Sequence, residues 1–162
     1  MKQLAMAFSG PSNSGKTTLI TKLAQAFIQQ GLKVVVLKHD PSDKAVFDTA
    51  GKDSSKFYAT GADVMVLSPT RTTFFSHQSL DVASCIALAG EFDLFLVEGL
   101  KHLPLPRISV FCKSIDTSYF AYSQAIASYE KIAHPSLKWL HLDDIQGICE
   151  YILANAKRCE KC

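Results

Sequence analysis

Gly10-Pro11-Ser12-Asn13-Ser14-Gly15-Lys16-Thr17 fits G-x-x-x-x-G-K-[S/T], and the residues on either side give it a structural setting. The apolar run Leu4 to Phe8 precedes it as a strand, and from Thr18 onward apolar residues recur at helical spacing. Strand, glycine loop and helix in that order make a P-loop. Gly10 and Gly15 carry no Cβ, so the backbone can turn consecutive N–H groups toward phosphate oxygens. The helix opening at Gly15 and Lys16 adds unpaired N–H donors and the positive end of its dipole. Lys16 is expected to reach the β- and γ-phosphates of a nucleoside triphosphate, and the Thr17 hydroxyl to ligate Mg²⁺. Ser12, Asn13 and Ser14 lie in the loop between the glycines and belong to the same candidate site.

Working outward, 162 residues suffice for one sizeable core, and a single domain over residues 1–156 with a tail at 157–162 is expected. A formal net charge of +2 gives no argument for a nucleic-acid or membrane partner. No apolar run approaches the ~20 residues of a membrane span, and Leu4 to Phe8 is too short for the apolar stretch of a signal peptide, so a cytoplasmic protein is expected. The five cysteines, an odd number, are then expected to be reduced. Cys159 and Cys162 have C-x-x-C spacing without a second pair to complete a zinc site, and they read as part of a solvated tail.

Thr18 to Gln30 places Leu19, Ile20, Leu23, Ala24, Phe27 and Ile28 on one helical stripe, with Gly31 to stop it. Lys33 to Lys38 reads as a strand buried on both faces, which makes a right-handed βαβ unit of a parallel sheet. Residues 39–52 lose apolar periodicity where a strand end should open onto a ligand site, and Asp40 there could hold a magnesium water or the attacking water. A short helix capped by Asp53 or Ser54 and ending at Gly61 comes next, then a strand at Ala62 to Leu67 and another at Thr72 to Phe75, placed at the sheet edge. Leu80 to Ala89 is a helix. Arg107 to Cys112 and Leu137 to Leu142 read as strands, and Asp143-Asp144 can cap a last helix. Periodicity leaves Ala125 to Tyr129 open between helix and strand.

Asp93 to Val97 is a buried strand that ends on Glu98-Gly99, where the second acidic signal of a P-loop protein stands. A carboxylate at that point can orient a magnesium-bound water or polarise the nucleophile. Lys101 and His102 follow and are expected near the phosphates. No N-K-x-D segment reads the base, since Lys113-Ser114-Ile115-Asp116 has one residue too many.

As a whole the sequence resembles the molybdopterin-guanine dinucleotide biosynthesis protein B family, MobB. Four segments carry the resemblance: Gly10 to Leu19, Leu37-Lys38-His39, Gly51-Lys52-Asp53-Ser54 with Ala59-Thr60-Gly61-Ala62, and Leu96 to His102. It implies an α/β, three-layer P-loop NTPase fold with a mostly parallel central sheet flanked by helices. It also implies a homodimeric GTP-binding protein with weak GTPase activity, accessory to a guanylyltransferase that attaches a guanine nucleotide to molybdopterin. By position, Gly15, Lys16, Thr17 and Thr18 would hold phosphates and Mg²⁺, and Glu98, Gly99 and Lys101 would close the site opposite them. The resemblance favours a strand at Ala125 to Tyr129, with the following loop near the base.

Two other readings compete with an accessory GTPase. A small-molecule kinase would usually bring a lid carrying arginines, and Arg71, Arg107 and Arg158 are scattered. A nucleotide-gated module for a metal or pterin cofactor would use His39, His102 or the terminal cysteines as ligands.

Overall fold

The computed structural model describes residues 3–46 and 48–159. The chain packs as two compact units, one formed by the residues up to His39 and from Ile86 onward, the other by Asp40–Cys85.

The first unit begins with β1 (Leu4–Ser9), α1 (Lys16–Gln29) and β2 (Val34–Lys38). The second holds α2 (Asp53–Tyr58), β3 (Val64–Leu67) and β4 (Thr72–Phe75), after which α3 (Val82–Ala89) carries the chain across the division. Back in the first unit come β5 (Leu94–Glu98), β6 (Arg107–Phe111), a 3₁₀ turn at Thr117–Tyr122, β7 (Ala125–Ser128), β8 (Lys138–His141), α4 (Ile145–Asn155) and β9 (Lys157–Arg158).

The sheet of the first unit has seven strands, β2-β5-β1-β6-β7-β8 with β9 beside the start of β1. All pairings are parallel except β1 with β9. It is the mostly parallel P-loop NTPase sheet with flanking helices. Side chains alternate between its faces at a strand's two-residue period. Met6, Phe8, Leu96, Ile108 and Val110 meet Leu19, Leu23 and Phe27 of α1 and Ile148 and Ile152 of α4. On the other face Ala5, Ala7, Phe95, Val97 and Phe111 are also buried, and Phe111 packs edge-on against Tyr119 and Phe120 of the 3₁₀ turn. Leu23 is fully buried, so truncating it to Ala should cost about 2–5 kcal/mol.

Three expectations are corrected. β2 is not buried on both faces: it is the edge of the sheet, and Val36 remains 46 % exposed. The strands at 64–67 and 72–75 do not join the central sheet but pair antiparallel with each other, because a four-residue connection can close a hairpin and cannot make a parallel crossover. Neither Asp53 nor Ser54 caps α2; Lys52 is at the N-cap, and the Ser54 hydroxyl donates to Asp48. The strand that the resemblance favours at 125–129 is present as β7 over Ala125–Ser128, fully buried between β6 and β8.

In the second unit the Asp63 carboxylate accepts from Ser76 Oγ and the His77 N–H, and the Tyr58 ring stacks on His77 with centroids 3.8 Å apart. Residues 157–158, expected to begin a tail, form β9, and the Cys159 N–H donates to the Gln3 carbonyl. Cys162, and with it the C-x-x-C spacing, lies outside the described residues. Among the described residues no helix is long and apolar enough to cross a membrane.

Candidate functional site

The parallel register brings the site together. Phe8 pairs with Glu98 across β1 and β5, so the loop leaving β1 and the acid ending β5 emerge at one sheet edge. That is the carboxyl edge of the strands, where open α/β sheets bind ligands. The Gly99 N–H donates to the Phe8 carbonyl and continues the pairing one step further.

Between β1 and α1 the backbone takes positive φ at Gly10 (138°), Asn13 (59°) and Gly15 (92°). Gly10 is irreplaceable on two counts: its φ is one that L side chains rarely adopt, and an added Cβ would stand 2.5 Å from the Val110 carbonyl oxygen. Gly15 forms the N-cap of α1 and packs where a Cβ would meet Cys112 at 3.2 Å. Having no side chain, it offers the first turn no capping oxygen, and no acidic residue stands in that turn. Ser14 is buried, and its carbonyl accepts from the Cys112 N–H, which ties the loop to the end of β6. Ser12, Asn13, Thr17 and Thr18 are exposed around this concave backbone. Such an arrangement fits an anion.

Lys16 folds back across the loop. Its ammonium donates to the carbonyls of Gly10 (2.9 Å) and Pro11 (2.6 Å), with Ser14 Oγ at 3.4 Å. Partial burial pulls its pKa below the ordinary lysine value, the Glu98 carboxylate opposes that shift, and Lys38 adds to it. The Thr17 hydroxyl lies 3.2 Å from each Glu98 carboxylate oxygen. A hydroxyl and a carboxylate so placed are the hard oxygen donors that suit Mg²⁺, which takes few protein ligands and completes its shell with phosphate and water.

Gly99, with φ at 96°, leaves room for His39: a Cβ there would meet the His39 Cβ at 3.1 Å, while the His39 N–H donates to the Glu98 carbonyl. His39 is thereby placed beside the end of β5. Lys101 and His102 are both drawn to Tyr122, the ammonium 5.8 Å from the ring centroid and the imidazole edge-on at 5.2 Å. Asp40 belongs to the second unit, where its carboxylate accepts from the N–H groups of Lys44 and Ala45, each at 2.7 Å, and holds its own turn.

Two features escaped the sequence reading. Arg107 is 1 % exposed, and its guanidinium donates to the carbonyls of Gly99, Leu100 and Leu103, fixing the loop that follows Glu98. An arginine opening a mostly apolar strand was the available signal. A cavity of about 190 Å³ beside the P-loop is lined by Gly15, Thr18, Lys22, Cys112, Tyr129 and Leu142, residues that converge only through the β6-β7-β8 order. Among the described residues no three His, Cys, Asp or Glu side chains gather to hold a metal ion.

The family model for molybdopterin guanine dinucleotide synthesis protein B, MobB, matches residues 5–130. The chain belongs to this family. A probable molybdopterin-guanine dinucleotide biosynthesis adapter protein of Bacillus subtilis strain 168 is 29 % identical over 157 residues, which cover 91 % of this chain and 90 % of the relative. The adapter protein of Escherichia coli strain K12 is 29 % identical over 162 residues, with the same coverage. Among solved structures, a molybdopterin-guanine biosynthesis protein B superposes with a TM-score of 0.76 at 30 % identity, covering 93 % of this chain and 99 % of that one. A LAO/AO transport system kinase shares the fold alone, with a TM-score of 0.53 at 14 % identity over 95 % of this chain and 59 % of its own.

Proposed function

We propose that this chain is a GTP-binding accessory protein of molybdopterin guanine dinucleotide biosynthesis, with weak GTPase activity, and that it acts beside the guanylyltransferase of that pathway. The carrying observation is the Thr17–Glu98 pair at the mouth of a loop that takes positive φ at Gly10, Asn13 and Gly15. Family membership supplies the pathway and favours guanine over adenine. Lys16 would exchange the carbonyls of Gly10 and Pro11 for phosphate oxygens, and Thr17 with Glu98 would hold Mg²⁺, which supplies charge neutralisation on those oxygens. The cavity lined by Thr18, Lys22 and Tyr129 would take the nucleoside.

Slow turnover follows from where the arginines are. An arginine placed on the γ-phosphate raises hydrolysis by ~10³- to 10⁵-fold in proteins of this fold. Arg107, the arginine at this end of the sheet, is buried and spends its donors on loop carbonyls. A homodimer is part of the proposal. Two-stranded sheets are marginal alone, and β3 of the second unit exposes Met65 (69 %) and Leu67 (84 %).

Phosphate release from GTP with Mg²⁺, followed in wild type and Thr17→Ala, tests the reading. Slow release that falls further in the variant supports it; release that needs an added small-molecule acceptor would make the protein a kinase instead.

A further inference from the structure

The loop fixed by Arg107 borders a second, open pocket of about 390 Å³, in the size range of small-molecule sites. Lys101, His102, Tyr122 and Gln124 line it together with Pro104 and Pro106. Its chemistry differs from that of the P-loop. Tyr122 offers an aromatic surface, and Lys101 sets an ammonium beside it. The Gln124 amide oxygen is engaged by the Arg107 N–H, and its NH₂ group supplies donors to a ring oxygen or nitrogen. The charges nearby favour an anion: Lys101 is exposed, Arg107 lies buried in the wall of the loop, and Asp116 is the carboxylate close enough to respond to Lys101. Asp116 is already committed to the Ser118 N–H at the start of the 3₁₀ turn.

The loop is held open by construction. Leu100 takes a positive φ of 49°, and the guanidinium of Arg107 grips the carbonyls on both sides of Lys101-His102, so their side chains meet Tyr122 without the loop having to order on binding. Preorganisation of this kind removes a cost that a mobile loop would impose on a ligand.

We propose that the cavity formed by Lys101, His102, Tyr122 and Gln124 is a second ligand site, which takes a planar, anionic heterocycle of the phosphorylated-pterin class. The ring stacks on Tyr122, its polar edge meets Gln124, and its anionic group meets Lys101. The choice of a pterin among such heterocycles rests on the pathway reading above. It places the two substrates of nucleotide attachment on one protein, the nucleotide at the P-loop and the pterin beyond Glu98-Gly99.

The test is a fluorescence titration of the full chain with pterin-6-carboxylate, with GTP affinity measured on the same samples. Wild type is expected to bind saturably and to bind neutral 6-hydroxymethylpterin more weakly. Lys101→Ala and Tyr122→Ala should each weaken pterin-6-carboxylate by ~10-fold, as loss of a charge or stacking partner does. Tyr122→Phe should restore the affinity, and Tyr122→Ala should keep GTP binding at the wild-type level. Lys16→Ala should lose GTP while binding the pterin as before. Absence of saturable binding in a wild type that binds GTP would overturn this inference alone. Binding insensitive to Lys101 and Tyr122, or lost with Lys16, would also overturn it. Pterin binding without GTP binding would leave the second site standing and refute the P-loop reading.

Discussion

The Thr17 hydroxyl and the Glu98 carboxylate, 81 positions apart in the sequence, stand 3.2 Å from one another because β1 and β5 are parallel neighbours in register. Their contact needs no partner molecule to hold it, so the pair proposed to hold a divalent cation is set before the cation arrives. Glu98→Gln keeps the shape and removes the charge. It is expected to lower phosphate release from GTP by at least ~10²-fold and to weaken the Mg²⁺ dependence of GTP binding. Metal titrations in the presence of GTP would show this, and a variant with wild-type Mg²⁺ dependence would remove Glu98 from the site.

Gly10→Ala tests the cradle. A methyl group 2.5 Å from the Val110 carbonyl forces the loop to move, and the positive φ adds strain. The variant should lose ~1–3 kcal/mol in urea unfolding and most of its triphosphate affinity. Ala at Gly61, where nothing lies within 4 Å of the added atom, makes a control for the backbone cost alone.

Lys16 gives a pH-dependent prediction. Burial lowers its folded-state pKa below the ordinary 10.5, so between those two values the unfolded chain holds the proton more often and stability rises with pH. Below the folded pKa the charged Lys16 is held at its full cost. Lys16→Met removes that cost, so the variant should be at least as stable as wild type at neutral pH, and its advantage should shrink as pH climbs toward 10.5. Thermal melts of both proteins across that range are the measurement. An advantage that grows with pH would mean that the ammonium stabilises the loop.

Arg107→Met takes the guanidinium from the carbonyls of Gly99, Leu100 and Leu103, of which Leu100 and Leu103 keep the N–H groups of Leu103 and Leu105, and is expected to cost about 1–3 kcal/mol in stability. Faster amide exchange confined to residues 99–105 should accompany it. Unchanged exchange there would show that the loop holds its shape without the guanidinium.

Tyr129→Ala should weaken GTP while leaving inorganic triphosphate unaffected, since Tyr129 lines the cavity beside Gly15 and Thr18 but stands outside the loop that would grip phosphate. Equal weakening of both would place the nucleoside elsewhere.

What could be read in advance was what short range determines. The P-loop, α1 and Glu98 follow from spacing within a dozen residues. The strand order does not, and with it went the edge position of β2 and the cavity that Cys112, Tyr129 and Leu142 share with the P-loop. Val64 to Leu67 has the apolar composition of a central strand, yet its partner is the next strand along the chain; composition reports burial and not who pairs with whom. Arg107 was passed over for a related reason. Its three acceptors are backbone carbonyls of a loop, and no residue type announces them.

The measurement that bears most directly on the account is calorimetric titration of GTP and ATP, each with Mg²⁺, into wild type and Lys16→Ala at matched concentrations. The account predicts saturable binding with GTP preferred over ATP, and loss of both in the variant while its melting curve stays that of a folded protein. Failure of wild type to bind either nucleotide, or affinity that survives removal of the Lys16 ammonium, would contradict it.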